Sequence, residues 1–312
     1  MVSGKFLKHM DVKTQEIYEQ IHGGRAGVYE CERGLMAVWG GEAVQFLDGL
    51  ITNNVKELAD GEQMLAAFPN AQGRLLAVVQ VKRDGDRYLL ETEEATHEKV
   101  FQNLFRFTFA GDFFVVDLSE GHRYFEIFGP KQDIYHAGAH QHWPGTYVYE
   151  LPYGAAYLVP VGVADAFRTF LTDENGCLNI SQDLYEILRI ENGVPKYGVD
   201  MDENTIVPEL GSEDMISYNK GCYIGQEIIA RIHFRGHVAK QLTGLILSGT
   251  PAENAELASQ DGKNAGRITS ITYSPKLDKT IALAYVRYEH LAGGTVLKCD
   301  DLDAVVHNLP FV

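Results

Sequence analysis

The chain has 312 residues, 45% of them apolar, with 27 basic against 43 acidic side chains and a formal net charge of -16. That length exceeds one small core and predicts two or three domains, and the apolar content predicts a folded, soluble chain rather than a disordered one. The acidic balance excludes a surface built to neutralise a phosphate backbone, so bulk nucleic-acid binding is not expected.

Cys31, Cys177, Cys222 and Cys299 stand far apart without a Cys-x-x-Cys pair. They read as thiols, not as a zinc module or a disulfide framework. The opening MVSGKFLKHMDVKTQ has no apolar region of the kind a secretory signal needs. The longest uncharged apolar run, Leu151 to Ala164, is broken by Pro152, Gly154, Pro160 and Gly162 and falls short of a membrane span. A reducing, cytoplasmic location is the expectation.

In chain order, Lys13 to Ile21 predicts a short helix leading into Gly23-Gly24, and Ala26 to Val38 carries strand-like patches around Arg33-Gly34. Ala43, Phe46, Leu47 and Leu50 fall at helical spacing, which places a helix at about 41–51 with Thr52-Asn53-Asn54 as its stop. Met64 to Val81 reads as strand, and Arg83-Asp84-Gly85-Asp86 joins it to Tyr88-Leu89-Leu90 as a hairpin. Val100, Phe101, Leu104 and Phe105 restore a helical stripe, and strands follow at about 113–117 and 123–128. Val163, Phe167, Phe170 and Leu171 predict a helix ending at Asn175-Gly176. Leu184, Ile187 and Leu188 predict another, with Ser181 as N-cap and Gly193 beyond its end. After Arg235-Gly236 the pattern shortens to strands at about 240–248, 266–273, 281–287 and 295–299, a small all-β barrel or sandwich. The mixed order of helices and strands before residue 235 indicates an α+β class.

Between Arg189 and Gly211 the chain is dense in Gly, Pro and acids, and it predicts a loop. Asp200, Asp202 and Asn204 suggest calcium, but Thr205 and Gly211 stand where an EF-hand loop needs glycine and a bidentate glutamate. A carboxylate of this loop, Glu209 first among them, is suited to accept two parallel N–H bonds from a guanidine-like heterocycle edge, as in a pterin. His136, His140 and His142, and His233 with His237, invite a metal reading. Gly138, Pro144 and Gly236 interrupt both segments, so surface or hydrogen-bonding histidines are expected and no metal is assigned. No Walker loop, Gly-x-Gly-x-x-Gly after a strand or Gly-x-Ser-x-Gly elbow is present.

The most pointed stretch is Lys220-Gly221-Cys222-Tyr223-Ile224-Gly225-Gln226-Glu227. A lysine two residues before Cys222 favours the thiolate, the glycines leave the sulfur unshielded, and a helix start from Gly225 acts in the same direction. From these features alone a reactive thiol and a structural cysteine in a glycine-rich turn both remain open.

With this octapeptide and the preceding GVPKYGVDMDENTIVPEL in view, the chain resembles the YgfZ family, folate-binding relatives of the T-protein (aminomethyltransferase) of the glycine cleavage system. Gly40 to Val55 resembles the superfamily's G-x-x-A-x-x-F-L-x-G-L-x-T-N segment, and Gly266 to Ser270 and Ala282 to Val286 its C-terminal barrel. The resemblance implies an α+β fold with a ring-like arrangement of an N-terminal folate-channel domain (1–120) and a middle domain (121–235), plus a C-terminal antiparallel β-barrel (236–312). It also implies tetrahydrofolate as cofactor, with Glu209 meeting the pterin and Tyr197 and Asp200 as further folate-binding candidates. Cys222, assisted by Lys220, is the implied functional pair, within a motif completed by Gly221, Tyr223, Gly225, Gln226 and Glu227. The implied role is assembly or repair of iron–sulfur clusters in client enzymes, some of which modify tRNA, with client or assembly proteins as partners. One departure weighs against aminomethyl transfer: where T-proteins carry a Gly-Gly-Ile-x-Asp-Asp run, this chain has Gly73-Arg74-Leu75-Leu76-Ala77-Val78. The transferase carboxylate then falls on Ala77 or Val78, and neither can move a proton.

Overall fold

The computed structural model describes residues 10–109, 111–129, 143–252 and 254–312, and of Arg235 the backbone alone. The histidines His136, His140 and His142 lie outside the described residues. Two compact units form, one of Ile17–Ile180 and Glu213–Ile228, the other of residues 10–16, Ser181–Ser212 and Ile229–Val312.

In the first, β1 (Gly27–Cys31) and β2 (Arg33–Trp39) follow residues 17–22 of helix α1 (Val12–His22), and α2 (Ala43–Asp48) follows them. Next come β3 (Gln63–Pro69), β4 (Leu75–Asp84), β5 (Arg87–Glu93), α3 (Glu94–Phe105), β6 (Phe114–Asp117) and β7 (His122–Phe128). The unit continues with β8 (Tyr147–Leu151), β9 (Gly154–Pro160), α4 (Ala164–Thr169) and β10 (Leu178–Asn179). The strands make two five-stranded sheets, ordered β3-β4-β5-β2-β6 and β10-β1-β7-β9-β8, antiparallel except for the β1–β10 pair.

Successive side chains of a strand point to opposite faces, so an unbroken apolar run means a sheet covered on both sides. In β2, Met36 and Val38 face a core shared with Leu47 of α2 and with Val100 and Leu104 of α3. Its alternate residues Leu35 and Ala37 join Leu89, Tyr124, Tyr149 and Leu158 in a second core between the two sheets. A third core covers the far face of the second sheet, where Phe125, Ile127 and Tyr157 meet Phe167 and Leu171. The broken apolar stretch from Leu151 to Ala164 is therefore half a hairpin: Pro152 and Tyr153 turn, Gly154–Pro160 forms β9, and Ala164 opens α4.

In the second unit, α5 (Gln182–Glu191) is capped by the Ser181 hydroxyl, which accepts the N–H of Leu184 at 3.3 Å. Six strands follow: β11 (Lys240–Leu247), β12 (Glu256–Ala258), β13 (Asn264–Ser274), β14 (Lys279–Arg287), β15 (Val296–Cys299) and β16 (Leu302–His307). They close as β11-β14-β13-β12-β15-β16, with β16 returning to β11. The period of two decides the barrel: Ala282, Ala284 and Val286 fill the interior, while Ile281, Leu283 and Tyr285 face outward against Ile190 of α5 and Phe311. At Gly266 the backbone runs at φ +150°, and a Cβ there would sit 2.0 Å from the Tyr285 carbonyl oxygen. Only glycine fits that approach. No helix among the described residues is long and apolar enough to cross a membrane.

Candidate functional site

Helix α2 is short and ends at Asp48, and the N–H groups of Gly49, Leu50 and Ile51 take the carbonyls of Gln45, Phe46 and Leu47. Lys220 takes the Asp48 carbonyl and two more in the turn that follows. Its Nζ donates to the carbonyl oxygens of Asp48 at 2.8 Å, Ile51 at 2.9 Å and Asn53 at 2.6 Å, and it lies 3.1 Å from Asp48 Oδ1. The side chain is fully buried. A cation at a helix C-terminus also meets the negative end of the macrodipole. Burial pushes the ammonium below its ordinary value, and the Asp48 carboxylate opposes that loss.

The octapeptide is thereby fastened to the Leu47-to-Asn54 stretch, and further bonds complete the joint. Ile224 N–H donates to the Gly49 carbonyl at 3.0 Å, and Ser217 N–H to that of Thr52 at 3.0 Å. The Thr52 hydroxyl donates to the Met215 carbonyl at 2.7 Å and accepts from Ala67 N–H, and Asn53 Nδ2 donates to the carbonyls of Leu65 and Asp214. The Lys220 ammonium also lies 5.1 Å from the centre of the Tyr223 ring, within cation–π range. Gly225 is required twice over: its φ is +81°, and a Cβ would sit 2.4 Å from the Asn70 carbonyl oxygen. Gln226 then opens α6 (Gln226–Arg235), with its side chain reaching back to the Gly221 carbonyl at 3.4 Å. Glu227 lies in the first turn of that helix, where a carboxylate complements the dipole.

Cys222 is exposed, whereas Cys177 and Cys299 are buried and Cys31 is half-buried. The geometry corrects the expectation that Lys220 serves this thiol. Every donor of its ammonium is turned into the protein, onto carbonyls and Asp48, so Lys220 holds the loop that presents Cys222 instead of facing the sulfur.

Glu209 lies in the second unit, in the tight turn Val207–Leu210, and is 5% exposed. Its Oε2 accepts the Ile206 N–H at 3.3 Å, and the following Gly211 takes φ +73° against Gln241 of β11. Burial pushes the neighbouring Tyr285 phenol above its ordinary value, and the Glu209 carboxylate adds to that, so the hydroxyl stays neutral. Tyr197 is half-buried in the turn that bridges to Met201.

Asp200 is not available to a ligand, which corrects the expectation for it. Oδ2 accepts from Arg189 Nη1 at 2.8 Å and from Lys196 N–H at 3.0 Å, while Oδ1 accepts the Thr269 hydroxyl at 2.6 Å. The pair is buried, with side-chain exposures of 3% for Arg189 and none for Asp200. Arg189 also donates to Glu186, Val194 and Ser270. Such a pair is favourable only when its remaining donors and acceptors are satisfied, as here. It braces the 189–212 segment against β13.

His237 lies beyond the end of α6, stacked on Tyr288 at 3.6 Å between centroids, and so shares no helix face with His233. Ala77 is buried in β4, and Val78 is half-buried on its other face. Sequence reasoning missed Asp48 and Lys56. Asp48 Oδ2 pairs with Lys56 Nζ at 2.7 Å, so two lysines from segments far apart in sequence share one aspartate. An aspartate among the apolar residues of an amphipathic helix was the available signal.

Two family models match the sequence: the GCVT N-terminal domain over residues 25–135 and the glycine cleavage T-protein C-terminal barrel domain over residues 240–312. An aminomethyltransferase of Bdellovibrio bacteriovorus is 28% identical over 89% of this chain and 85% of its own length. A mitochondrial iron–sulfur cluster assembly factor IBA57 homologue of Mycosarcoma maydis is 28% identical over 70% of this chain and 57% of its own. Among solved structures, the glycine cleavage system aminomethyltransferase T of Bartonella henselae matches with a TM-score of 0.84 over 96% of this chain and 89% of that one. At 19% identity that likeness concerns the fold.

Replacing Lys220 by Met strips three carbonyls and Asp48 of their shared cation, and should cost roughly 3–5 kcal/mol of unfolding free energy in a denaturant titration. A loss below about 1 kcal/mol would mean that the ammonium does not hold the joint. The brace around Arg189 has a pH signature. Burial raises the Glu186 carboxyl, but Arg189 and Lys196 outweigh it and hold the group below its ordinary 4.5. Its contribution is therefore complete above pH 4.5 and is lost as pH falls through the lower folded value. Melting temperatures followed downward from pH 5 should fall less steeply in Glu186→Gln than in wild type.

Proposed function

Because this chain is T-protein-like, carrying both the N-terminal and the C-terminal barrel domain of the glycine cleavage T-protein, we propose that it is a tetrahydrofolate-binding accessory protein of the YgfZ branch. In this reading it serves iron–sulfur cluster assembly or repair through Cys222. The observation that carries the reading is the exposed sulfur of Cys222 on a loop fixed at both ends, by Lys220 on one side and Gly225 on the other. An exposed thiol on a backbone held this firmly is suited to engage a partner's cluster, persulfide or thiol. The relative named as an iron–sulfur cluster assembly factor supports the same reading. Client enzymes would include some that modify tRNA, and a reducing cytoplasmic setting would keep the sulfur a thiol.

Folate binding rests on Glu209. A buried carboxylate suits the amino edge of a pterin, which presents adjacent N–H donors to a two-oxygen acceptor. Bound tetrahydrofolate would supply one-carbon carrier chemistry. The residues of this chain would bind and orient it, Glu209 at the pterin with Tyr197 on the neighbouring turn.

The relatives named aminomethyltransferase favour a second reading, a one-carbon folate enzyme. Ala77 and Val78 stand against it, since neither can accept a proton or orient an amine. Turnover of an aminomethyl-loaded lipoyl carrier with tetrahydrofolate would support it.

Calorimetric titration with tetrahydrofolate should show saturable binding to wild type and a loss of at least about tenfold in Glu209→Ala. In a strain lacking the protein, a Cys222→Ala variant should leave cluster-containing enzymes deficient. Full restoration of their activity by that variant would end the sulfur reading.

A further inference from the structure

The cation that faces the Cys222 loop from outside is not the motif lysine. Asp48 is 3% exposed and divides its carboxylate between two ammonium groups, Lys220 on Oδ1 at 3.1 Å and Lys56 on Oδ2 at 2.7 Å. Lys220 is fully buried and spent on carbonyls, whereas the Lys56 side chain is 52% exposed. Among the described residues Asp48 is the one partner of the Lys56 ammonium, so two of its three N–H donors are left over. The Lys56–Asp48 pair lies against the residue preceding Cys222. A Cβ built on Gly221 would be 3.6 Å from Asp48 Oδ2 and 3.8 Å from Lys56 Nζ. Two cations on one anion leave a local charge of +1, in a chain whose total is -16.

We propose that Lys56 is the positioning residue of the Cys222 site: held by Asp48 against Gly221, its ammonium sets the positive potential at the sulfur and draws anionic groups to it. This rests on the reading of Cys222 as the working sulfur. The ligand class it adds is an anion, such as the persulfide or sulfide-bearing group of a partner; a neutral thiol reagent is not itself drawn to the site, and any effect on the thiolate is common to both kinds of reagent. Lys56 comes from the short turn Val55–Glu57, capped by Asn54, directly after the stretch that Lys220 fastens. The joint that fixes Cys222 therefore also fixes the cation beside it.

Paired alkylation of the full-length protein tests this, with iodoacetate as the anionic probe and iodoacetamide as the neutral one, and with modification of Cys222 followed by mass spectrometry. In each case the thiolate sulfur forms the S–C bond and iodide leaves. At low salt the iodoacetate-to-iodoacetamide rate ratio should fall about threefold in Lys56→Gln, be retained in Lys56→Arg, and shrink toward the variant's value when wild type is placed in 1 M salt. Lys263→Gln removes a charge from an 81% exposed lysine of the barrel and should leave the ratio unchanged. The proposal is overturned if Lys56→Gln and wild type give the same ratio, or if Lys263→Gln lowers it equally, which would make the effect one of net charge. An unaltered melting temperature in Lys56→Arg confirms that its retained ratio belongs to a folded protein. These rates report on the thiol alone, so the proposal and the cluster-assembly reading, which is tested in cells with Cys222→Ala, fail separately.

Discussion

A buried ammonium is costly unless it is surrounded by oxygen, and Lys220 is surrounded by it: three carbonyls and one carboxylate at the end of α2. That helix is too short to be stable on its own, and its last carbonyl, that of Asp48, finds its partner in Lys220. Lys220 therefore completes a helix that lies more than 170 residues earlier in the chain. The register of everything that follows, Cys222 on the surface, Gly225 against the Asn70 turn and Gln226 at the head of α6, is set by where that ammonium docks.

The second unit solves a similar problem with the opposite inventory. The segment after α5 has no strand or long helix of its own, and an irregular backbone is held only if its polar groups find partners. Asp200 and Arg189 supply them, tying the segment to α5 at Glu186 and to β13 at Thr269 and Ser270. Glu209 then sits in a turn whose ends are already fixed, so its carboxylate can be buried without the loop having to order around a ligand. Both units thus carry a charged side chain inward to brace a loop.

Much of the fold was legible in the sequence because helical and strand periods are local. The Ala43, Phe46, Leu47 stripe, the Ser181 cap, the Arg83-to-Asp86 turn and the barrel strands from Lys240, Asn264 and Lys279 all follow from spacing or from a single turn residue. What escaped were segments whose signal is diluted. β9 is hidden in an apolar run broken by prolines and glycines, β12 is three residues long, and the Asn70-to-Arg74 turn that splits β3 from β4 lacks a two-residue hairpin signature. A sheet buried on both faces loses the alternation by which strands are recognised.

The sequence by itself determined the class, an all-β tail, the two glycine-rich segments and the identity of the exposed-sulfur candidate, because each depends on residue type at short separation; closure of the tail into a barrel rests on the long-range pairing of β16 with β11. Only the tertiary structure decided the roles of the charged residues, because a side chain's function depends on what meets it from far along the chain. Lys220 lies two residues from Cys222 in sequence but spends its charge on α2, and Asp200 neighbours Glu209 in one loop but spends its own on Arg189. Lys56 and Asp48, which carry no motif, come to lie beside Gly221 through folding alone.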